Sequence, residues 1–139
     1  MDALDNLVNI KKLKHEAPDQ AEFSGLVSAA EIKLNDAALP GLSADSQFSL
    51  TYSAAHSLGL AALRWHGYRS EHRYLVFQCL QHTVHFPKAK WRVLDKCHNC
   101  RNLAEYEGHL DINQQLLVEL IAITHELLDL VNDLPVLEQ

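Results

Sequence analysis

The chain has 139 residues, of which 47% are hydrophobic, and its formal net charge is −6 at pH 7. This composition excludes a fibrous or disordered chain, and the length suits one domain with a substantial core. No apolar run reaches the roughly 18–20 residues that a membrane-spanning helix needs. The start carries acids where a secretory signal would carry basic residues, and the odd number of cysteines favours a reducing compartment. We therefore expect a cytoplasmic protein with no membrane partner.

Charge is distributed unevenly along the sequence. Residues 1–59 carry a formal charge of −4, residues 60–101 carry +6, and residues 102–139 carry −8. A basic segment on an acidic chain is typical of binding to an anion such as RNA or a nucleotide phosphate. It is equally consistent with packing against the acidic C-terminal segment, in the same chain or across a dimer.

Hydrophobic spacing predicts helices along the whole chain, with no alternation typical of strands. We expect helices over about 4–15, 21–39, 43–67, 71–84 and 88–106, the third capped by Ser43 or Asp45 and closed by Gly67. This third helix, in the run SLTYSAAHSLGLAALRW, is rich in small residues that allow close helix contacts. We therefore expect it to lie at the centre of the domain, with Ala55, Gly59 and Ala62 buried.

The last helix has the most regular pattern. Asp111 and Gln114 have the spacing of a capping box, and apolar residues then recur every three or four positions. These residues are Leu116, Leu120, Ile123, Leu127, Leu130 and Leu134. We predict an all-α bundle of five or six helices in a single domain over residues 1–139. Its core spans about 25–134, and residues 1–20 form an N-terminal helix and linker.

Two patterns in the basic segment have the spacing of metal ligands. Cys97 and Cys100 form a CxxC pair, and His82 and His85 could chelate zinc with a third ligand such as His72. The cysteines share a helix side with valine and alanine, which favours burial in the core, and no carboxylate repeats beside the histidines. We expect no metal and no cofactor.

The fifth predicted helix has a polar face with chemically useful groups. His98, Arg101, Asn102 and Glu105 lie within two turns, joined on that face by Leu94 and Trp91. They combine a permanent cation, a group that titrates near neutral pH, an amide and a carboxylate. A solvated face with an Arg101–Glu105 ion pair is the alternative interpretation.

The stretch from Phe48 to Tyr106 resembles the HEPN superfamily. The similarity lies in a long Ala-rich helix with an aromatic residue near its start, Tyr52, and in a later helix that carries Arg101 followed by Asn102. The resemblance implies a small all-α domain with an up-and-down core, which pairs as a homodimer and is often partnered by a minimal nucleotidyltransferase in bacterial toxin–antitoxin modules.

The resemblance also implies a site. The ribonuclease members carry Arg, four to six residues, then His, and cleave RNA without metal. Here Tyr106 stands where that histidine would be, and His109 follows Arg101 after seven intervening residues, which does not fit.

Three functions are therefore open. The first is a nucleotide- or RNA-binding or interaction subunit of a toxin–antitoxin module. Its expected binding residues are Arg101, Asn102 and Glu105, with Arg69 and Arg73 within reach of them. The second is a ribonuclease that uses Arg101 with His98 or Tyr106 as catalytic residues. The third is a structural adaptor with no catalytic site.

Overall fold

The computed structural model describes residues 2–108 and 112–137, and these ranges contain six helices. They are α1 (Asp2–Asn9), α2 (Gln20–Ala37), α3 (Ala44–Trp65), α4 (Arg73–Thr83), α5 (Lys88–Glu107) and α6 (Gln114–Asn132). The predicted all-α helical bundle is confirmed. None of these helices combines the length and the apolar character that a membrane crossing requires.

A short antiparallel pair of strands, absent from the sequence prediction, ties the N-terminal segment to the bundle. Strand β1 (Lys14–His15) pairs with β2 (Tyr68–Arg69). Two residues are too few for an alternating pattern to be visible in the sequence. The first helix was also predicted too long: α1 ends at Asn9, and Leu13 is buried against α3 and α4 residues in a small second core.

Helix α3 is central, as its small residues predicted. It contacts α2, α4, α5 and α6, and Ala55 and Ala62 are both fully buried. Ser43 is the residue that caps it, since its side chain accepts a hydrogen bond from the amide of Ser46. At Gly59 a Cβ atom would stand 2.5 Å from Cγ1 of Val76, so the glycine allows α4 to pack directly on α3.

Helix α6 follows the predicted apolar pattern for three turns and then departs from it. Leu116, Leu120, Ile123 and Leu127 are buried, but Leu130 is 38% exposed and Val131 is fully buried instead. The prediction of a 3.5-residue seam was wrong at this end. A straight helix repeats every 3.6 residues, so the buried stripe drifts from Leu130 to Val131.

The start of α6 also differs from the sequence prediction. The helix begins at Gln114, and the side chain of Asn113 caps it by accepting a hydrogen bond from the amide of Gln115. Asp111, the predicted cap, lies outside the described residues, as does His109.

A buried arginine joins the N-terminal segment to α3. Arg64 is 2% exposed, and its guanidinium donates to the backbone carbonyls of Glu16, Ala17 and Tyr68. The carboxylates of Glu16 and Glu22 lie 3.3 and 3.2 Å from it. Three carbonyls and two carboxylates around one guanidinium form a rigid connection that fixes residues 16 and 17 on the bundle.

Candidate functional site

Helix α5 lies on the bundle with part of its polar face turned inward. Leu94 and Cys97 are buried, His98 and Arg101 are half-buried, and Asn102 and Glu105 are exposed. Leu94 was predicted on the polar face, but it is 0% exposed because that side of the helix packs into the core. His98 and Arg101 therefore lie at the border between core and solvent.

Tyr52 of α3 is the residue that His98 and Arg101 contact. Its ring is fully buried, and its hydroxyl oxygen lies 2.8 Å from Nδ1 of His98. The Arg101 guanidinium carbon stands 5.1 Å from the centre of the Tyr52 ring, which is a cation–π distance. On the other side of the imidazole, Nδ2 of Asn102 lies 3.1 Å from Nε2 of His98.

The direction of these hydrogen bonds depends on the tautomer of His98. With the proton on Nδ1, His98 donates to the Tyr52 hydroxyl oxygen and Nε2 accepts from the amide nitrogen of Asn102. With the proton on Nε2, the Tyr52 hydroxyl donates to Nδ1 and the amide oxygen of Asn102, after a turn of the amide group, accepts from Nε2. In both cases the two bonds hold the imidazole between Tyr52 and Asn102.

Arg73, the first residue of α4, brings a second guanidinium to the same place. It is exposed, yet it lies close enough to lower the pKa of Tyr52, His56 and His98. The residue before it, His72, makes no side-chain cap on the helix. We call the group formed by Tyr52, His56, Arg73, His98 and Arg101 the Tyr52 cluster.

His56 lies one turn after Tyr52 on α3 and is strongly held in its neutral form. Burial lowers the pKa of His56 to about 4, and the nearby charges of Arg73, His98, Lys33 and Arg101 act in the same direction. Its Nε2 atom is buried without a hydrogen-bond partner in the described structure. The ring packs edge-on against Phe77, with 6.0 Å between the ring centres.

The other two titratable rings of the cluster respond to the same surroundings. Burial lowers the pKa of His98; Arg73 and Arg101 lower it further, while Asp95 and Glu105 oppose the change. Burial raises the pKa of Tyr52, and the two arginines oppose that rise. Both rings are thus neutral near pH 7, and the positive charge of the cluster belongs to the arginines.

Neither arginine of the cluster forms an ion pair within 4.0 Å in the described ranges. Other basic residues there do: Lys14 pairs with Glu71, and Lys90 with Glu126. The alternative prediction of an Arg101–Glu105 ion pair is wrong, because Arg101 stacks on Tyr52 instead. The two guanidinium groups are therefore not directly paired, although the carboxylates of Asp95 and Glu105 lie near enough to raise the pKa of His98.

Two of the predicted site residues lie elsewhere. Arg69 was expected near Arg101, but it pairs with Glu16 at 2.5 Å and Glu22 at 2.6 Å, next to Arg64. Tyr106 is 91% exposed and stands about 140° around α5 from Arg101, on a different side of the helix. The structure brings together Arg73, His98, Arg101 and Asn102, and leaves Arg69 and Tyr106 apart from them.

An open groove of about 380 Å³ adjoins the cluster at Arg101. It runs between the first turns of α3 and the last turns of α5. Ala104 supplies apolar surface, and Phe48 borders the groove but is 0% exposed. The charged lining residues are Asp45, Arg101 and Glu105, and the others are Ser49 and Gly108. Phe48 stacks on Tyr52 at 6.2 Å between ring centres, so the groove floor continues into the cluster.

The predicted metal-type patterns occupy ordinary structural positions. Cys97 is buried, and burial raises the pKa of its thiol to about 12. Cys100 is half-buried and faces a separate groove between α5 and α6. In the described part of the chain, no group of three or more His, Cys, Asp or Glu side chains is arranged to hold a metal ion.

Comparison with protein-family models, curated proteins and solved structures finds no match to this chain. The functional argument therefore depends on the cluster itself. The sequence analysis missed His56 as a member, although its spacing of four residues from Tyr52 on a helix places both on one face.

Proposed function

We propose that this chain is a HEPN-like helical protein that binds RNA or nucleotide phosphate through the Tyr52 cluster. The observation that carries the proposal is the convergence of Arg73 and Arg101, without carboxylate partners, on Tyr52 and His98. Guanidinium groups match phosphate in both charge and geometry. A folded protein that leaves two such groups beside a half-buried histidine has the elements of an anion site.

The biological setting that we propose follows the HEPN resemblance. In it the chain is an interaction subunit of a bacterial toxin–antitoxin module, with a nucleotidyltransferase-type protein as its partner. The chemistry of the cluster is compatible with this setting because such a partner handles nucleotides. Co-expression with a nucleotidyltransferase encoded beside this chain, followed by purification of the complex, tests this part of the proposal.

We further propose that the protein is a homodimer that pairs along α5. Leu103 is 55% exposed and Tyr106 is 91% exposed, and they lie one turn apart on the outer side of that helix. Two-fold pairing would cover both. Light scattering should give about twice 15.7 kDa, and Leu103→Glu with Tyr106→Glu should give a monomer. Leu39→Glu, at a residue 55% exposed before α3, is the matched control.

Binding of a fluorescent single-stranded RNA tests the central proposal. Arg101→Ala should weaken binding by about tenfold or more, and the affinity of the unaltered protein should fall steeply with salt, since phosphate contacts release counterions. Arg92→Ala is the matched control: Arg92 is an exposed arginine on α5, about 180° around the helix from Arg101. Equal losses in the two variants would leave the structural adaptor as the better interpretation.

Metal-independent RNA cleavage is the second candidate function, favoured by the position of His98 beside Arg73 and Arg101. In the tautomer that carries its proton on Nδ1, His98 could take a proton from a ribose hydroxyl at Nε2 if Asn102 moved aside. Cleavage in the presence of a metal chelator, abolished by His98→Ala and by Arg101→Ala, would establish it. Because Tyr106 lies apart from the cluster, Tyr106→Phe should leave any such activity unchanged.

A further inference from the structure

The segment between α1 and α2 contacts the residues on both sides of Arg73. Nζ of Lys14 lies 2.6 Å from Oε1 of Glu71, and Nζ of Lys12 lies 3.1 Å from the hydroxyl oxygen of Tyr74. Glu71 stands two residues before Arg73 and Tyr74 directly follows it, at the point where α4 begins. Arg73 itself is exposed, so an anion in solution can reach it.

The same segment is fixed to the centre of the bundle. Strand β1 pairs with β2, and the amide of Glu16 donates to the carbonyl of Gly67 at 3.0 Å. Arg64, buried in α3, donates to the carbonyls of Glu16 and Ala17. Three residues, 70–72, separate β2 from α4. Because this connection is short, the anchored strand pair restricts where α4 can begin.

We propose that the segment between α1 and α2 positions Arg73 for the binding of RNA or a nucleotide phosphate. Arg64 anchors the segment to α3, and Lys12 and Lys14 hold the start of α4. The guanidinium of Arg73 is thereby kept beside Tyr52 before a ligand arrives. This inference rests on the proposed function and adds positioning residues to its site.

The advantage of such an arrangement is entropic. A long side chain that is ordered only on binding lowers the affinity by about two- to tenfold relative to one that is held beforehand. Arg64 is 2% exposed, so it has no surface to offer to RNA and acts on binding only through the residues that it holds.

The two arginines of the cluster depend on this segment to different extents. Arg73 approaches Tyr52 from α4, the helix whose start the segment holds. Arg101 lies on α5 and stacks on the Tyr52 ring, and none of its contacts involves the segment. Loosening the segment should therefore affect the contribution of Arg73 and leave that of Arg101 unchanged.

A double-variant cycle on the binding of fluorescent single-stranded RNA tests the inference. Arg64→Lys keeps the charge and should weaken binding by about two- to tenfold, because it releases Arg73. Arg73→Ala should then weaken binding by a smaller factor in the Arg64→Lys protein than in the unaltered protein, since its contribution is already reduced. Arg101→Ala should have the same effect in both. Equal factors for Arg73→Ala in the two proteins would overturn the inference.

A second variant avoids the buried position of Arg64. Glu71→Met removes the carboxylate that Lys14 contacts, and both of these side chains are 64% exposed, so the fold should be retained. By charge alone, loss of an acid near Arg73 would strengthen RNA binding. The inference predicts the opposite sign, a loss of about two- to fivefold, because the start of α4 is released. Stronger binding by Glu71→Met would contradict it.

Glu31→Met is the matched control, because Glu31 is an exposed glutamate of α2. It removes the same charge without touching the segment, so it should not weaken RNA binding. A circular dichroism melt of each variant verifies its folding.

The imidazole of His98 reports the position of Arg73 without any RNA. Burial lowers the pKa of His98, and the charge of Arg73 lowers it further. An NMR titration should therefore give a higher pKa for His98 in Arg64→Lys and in Arg73→Ala than in the unaltered protein. An unchanged pKa of His98 in Arg64→Lys would overturn the inference alone. Absence of RNA binding by the unaltered protein would overturn the proposed function, and the role of the segment in binding with it.

Discussion

The hydroxyl of Tyr52 and Nδ1 of His98, 2.8 Å apart, join the centre of α3 to the middle of α5. The tyrosine is fully buried and the histidine half-buried, so this hydrogen bond lies where the core meets the surface. It holds the imidazole in one orientation, while Asn102 holds the other nitrogen. The pair thus connects the packing of the bundle to the arrangement of the basic residues above it.

Removing the hydroxyl should destabilise the protein slightly. Tyr52→Phe deletes one hydrogen bond to a half-buried partner, so we expect a loss of about 0.5–1.5 kcal/mol in the free energy of unfolding. Urea unfolding followed by circular dichroism measures it. His98→Phe should lower the free energy of unfolding by a comparable amount. The double variant should lower it by less than the sum of the two single losses, because both single changes remove the same hydrogen bond. Fully additive losses would contradict this coupling.

Acid should weaken the fold through His56. Its pKa is about 4 in the folded protein and 6.5 when unperturbed, so the unfolded chain binds the proton more readily between these values. The stabilising contribution is therefore complete above pH 6.5 and is lost as the pH falls towards 4, by as much as about 3 kcal/mol. Arg73 from α4, His98 and Arg101 from α5, and Lys33 from α2 all act in this direction.

The measurement is the free energy of unfolding at pH 7 and at pH 5. His56→Gln should reduce the difference between the two values, because the titrating group is gone. His125→Gln, at an exposed histidine of α6, is the matched control and should keep the full difference. If the free energies of unfolding at pH 7 and pH 5 still differed as much in His56→Gln, another group would cause the acid sensitivity. His66 and His98, whose pKa values burial also lowers, would then be the next groups to test.

The helices could be predicted because their signals are local. Small residues at helical spacing identified α3 as central, and Gly67, with φ of +89°, follows it in the left-handed conformation expected of a helix-ending glycine. The β1–β2 pair could not be predicted, since residues 14–15 and 68–69 pair across more than 50 residues of sequence that include α2 and α3.

The site was predictable in part for the same reason. His98, Arg101 and Asn102 lie on one helix, so their spacing alone placed them together. Arg69 and Arg73 are four residues apart in sequence, yet the strand β2 holds Arg69 against Glu16 and Glu22, while α4 turns Arg73 towards Tyr52. Arg69 is held away from the cluster by partners about 50 residues distant in sequence. The spacing of residues within one helix gives no information about such partners.

Two glycines should respond in opposite ways to the same substitution. Gly59→Ala places a Cβ 2.5 Å from Cγ1 of Val76, so α3 and α4 must separate or Val76 must change rotamer, and we expect a loss of about 1–3 kcal/mol. Gly25→Ala is the matched control. Gly25 lies in α2 and is exposed, with nothing within 4 Å of a Cβ, so the change should stabilise by about 0.5–1 kcal/mol. Thermal unfolding distinguishes the two, and a stabilising Gly59→Ala would contradict the close contact between α3 and α4.

The last prediction concerns Arg64, which joins the N-terminal segment to α3. Arg64→Lys keeps the charge but replaces a planar fork by a single ammonium group. One ammonium cannot reach the carbonyls of Glu16, Ala17 and Tyr68 together with the carboxylates of Glu16 and Glu22. We expect a loss of about 1–3 kcal/mol in the free energy of unfolding, because the buried carbonyl of Tyr68 and the part-buried carbonyls of Glu16 and Ala17 lose donors.

Limited proteolysis tests in a second way whether Arg64→Lys loosens the N-terminal segment. With the guanidinium gone, residues 16 and 17 lose their donors, so the segment before α2 should be cleaved faster in Arg64→Lys than in the unaltered protein. Arg92→Lys, at an exposed position of α5, should change neither stability nor cleavage. If Arg64→Lys unfolded at the same denaturant concentration as Arg92→Lys and were cleaved no faster, the planar fork of Arg64 would not be needed for stability.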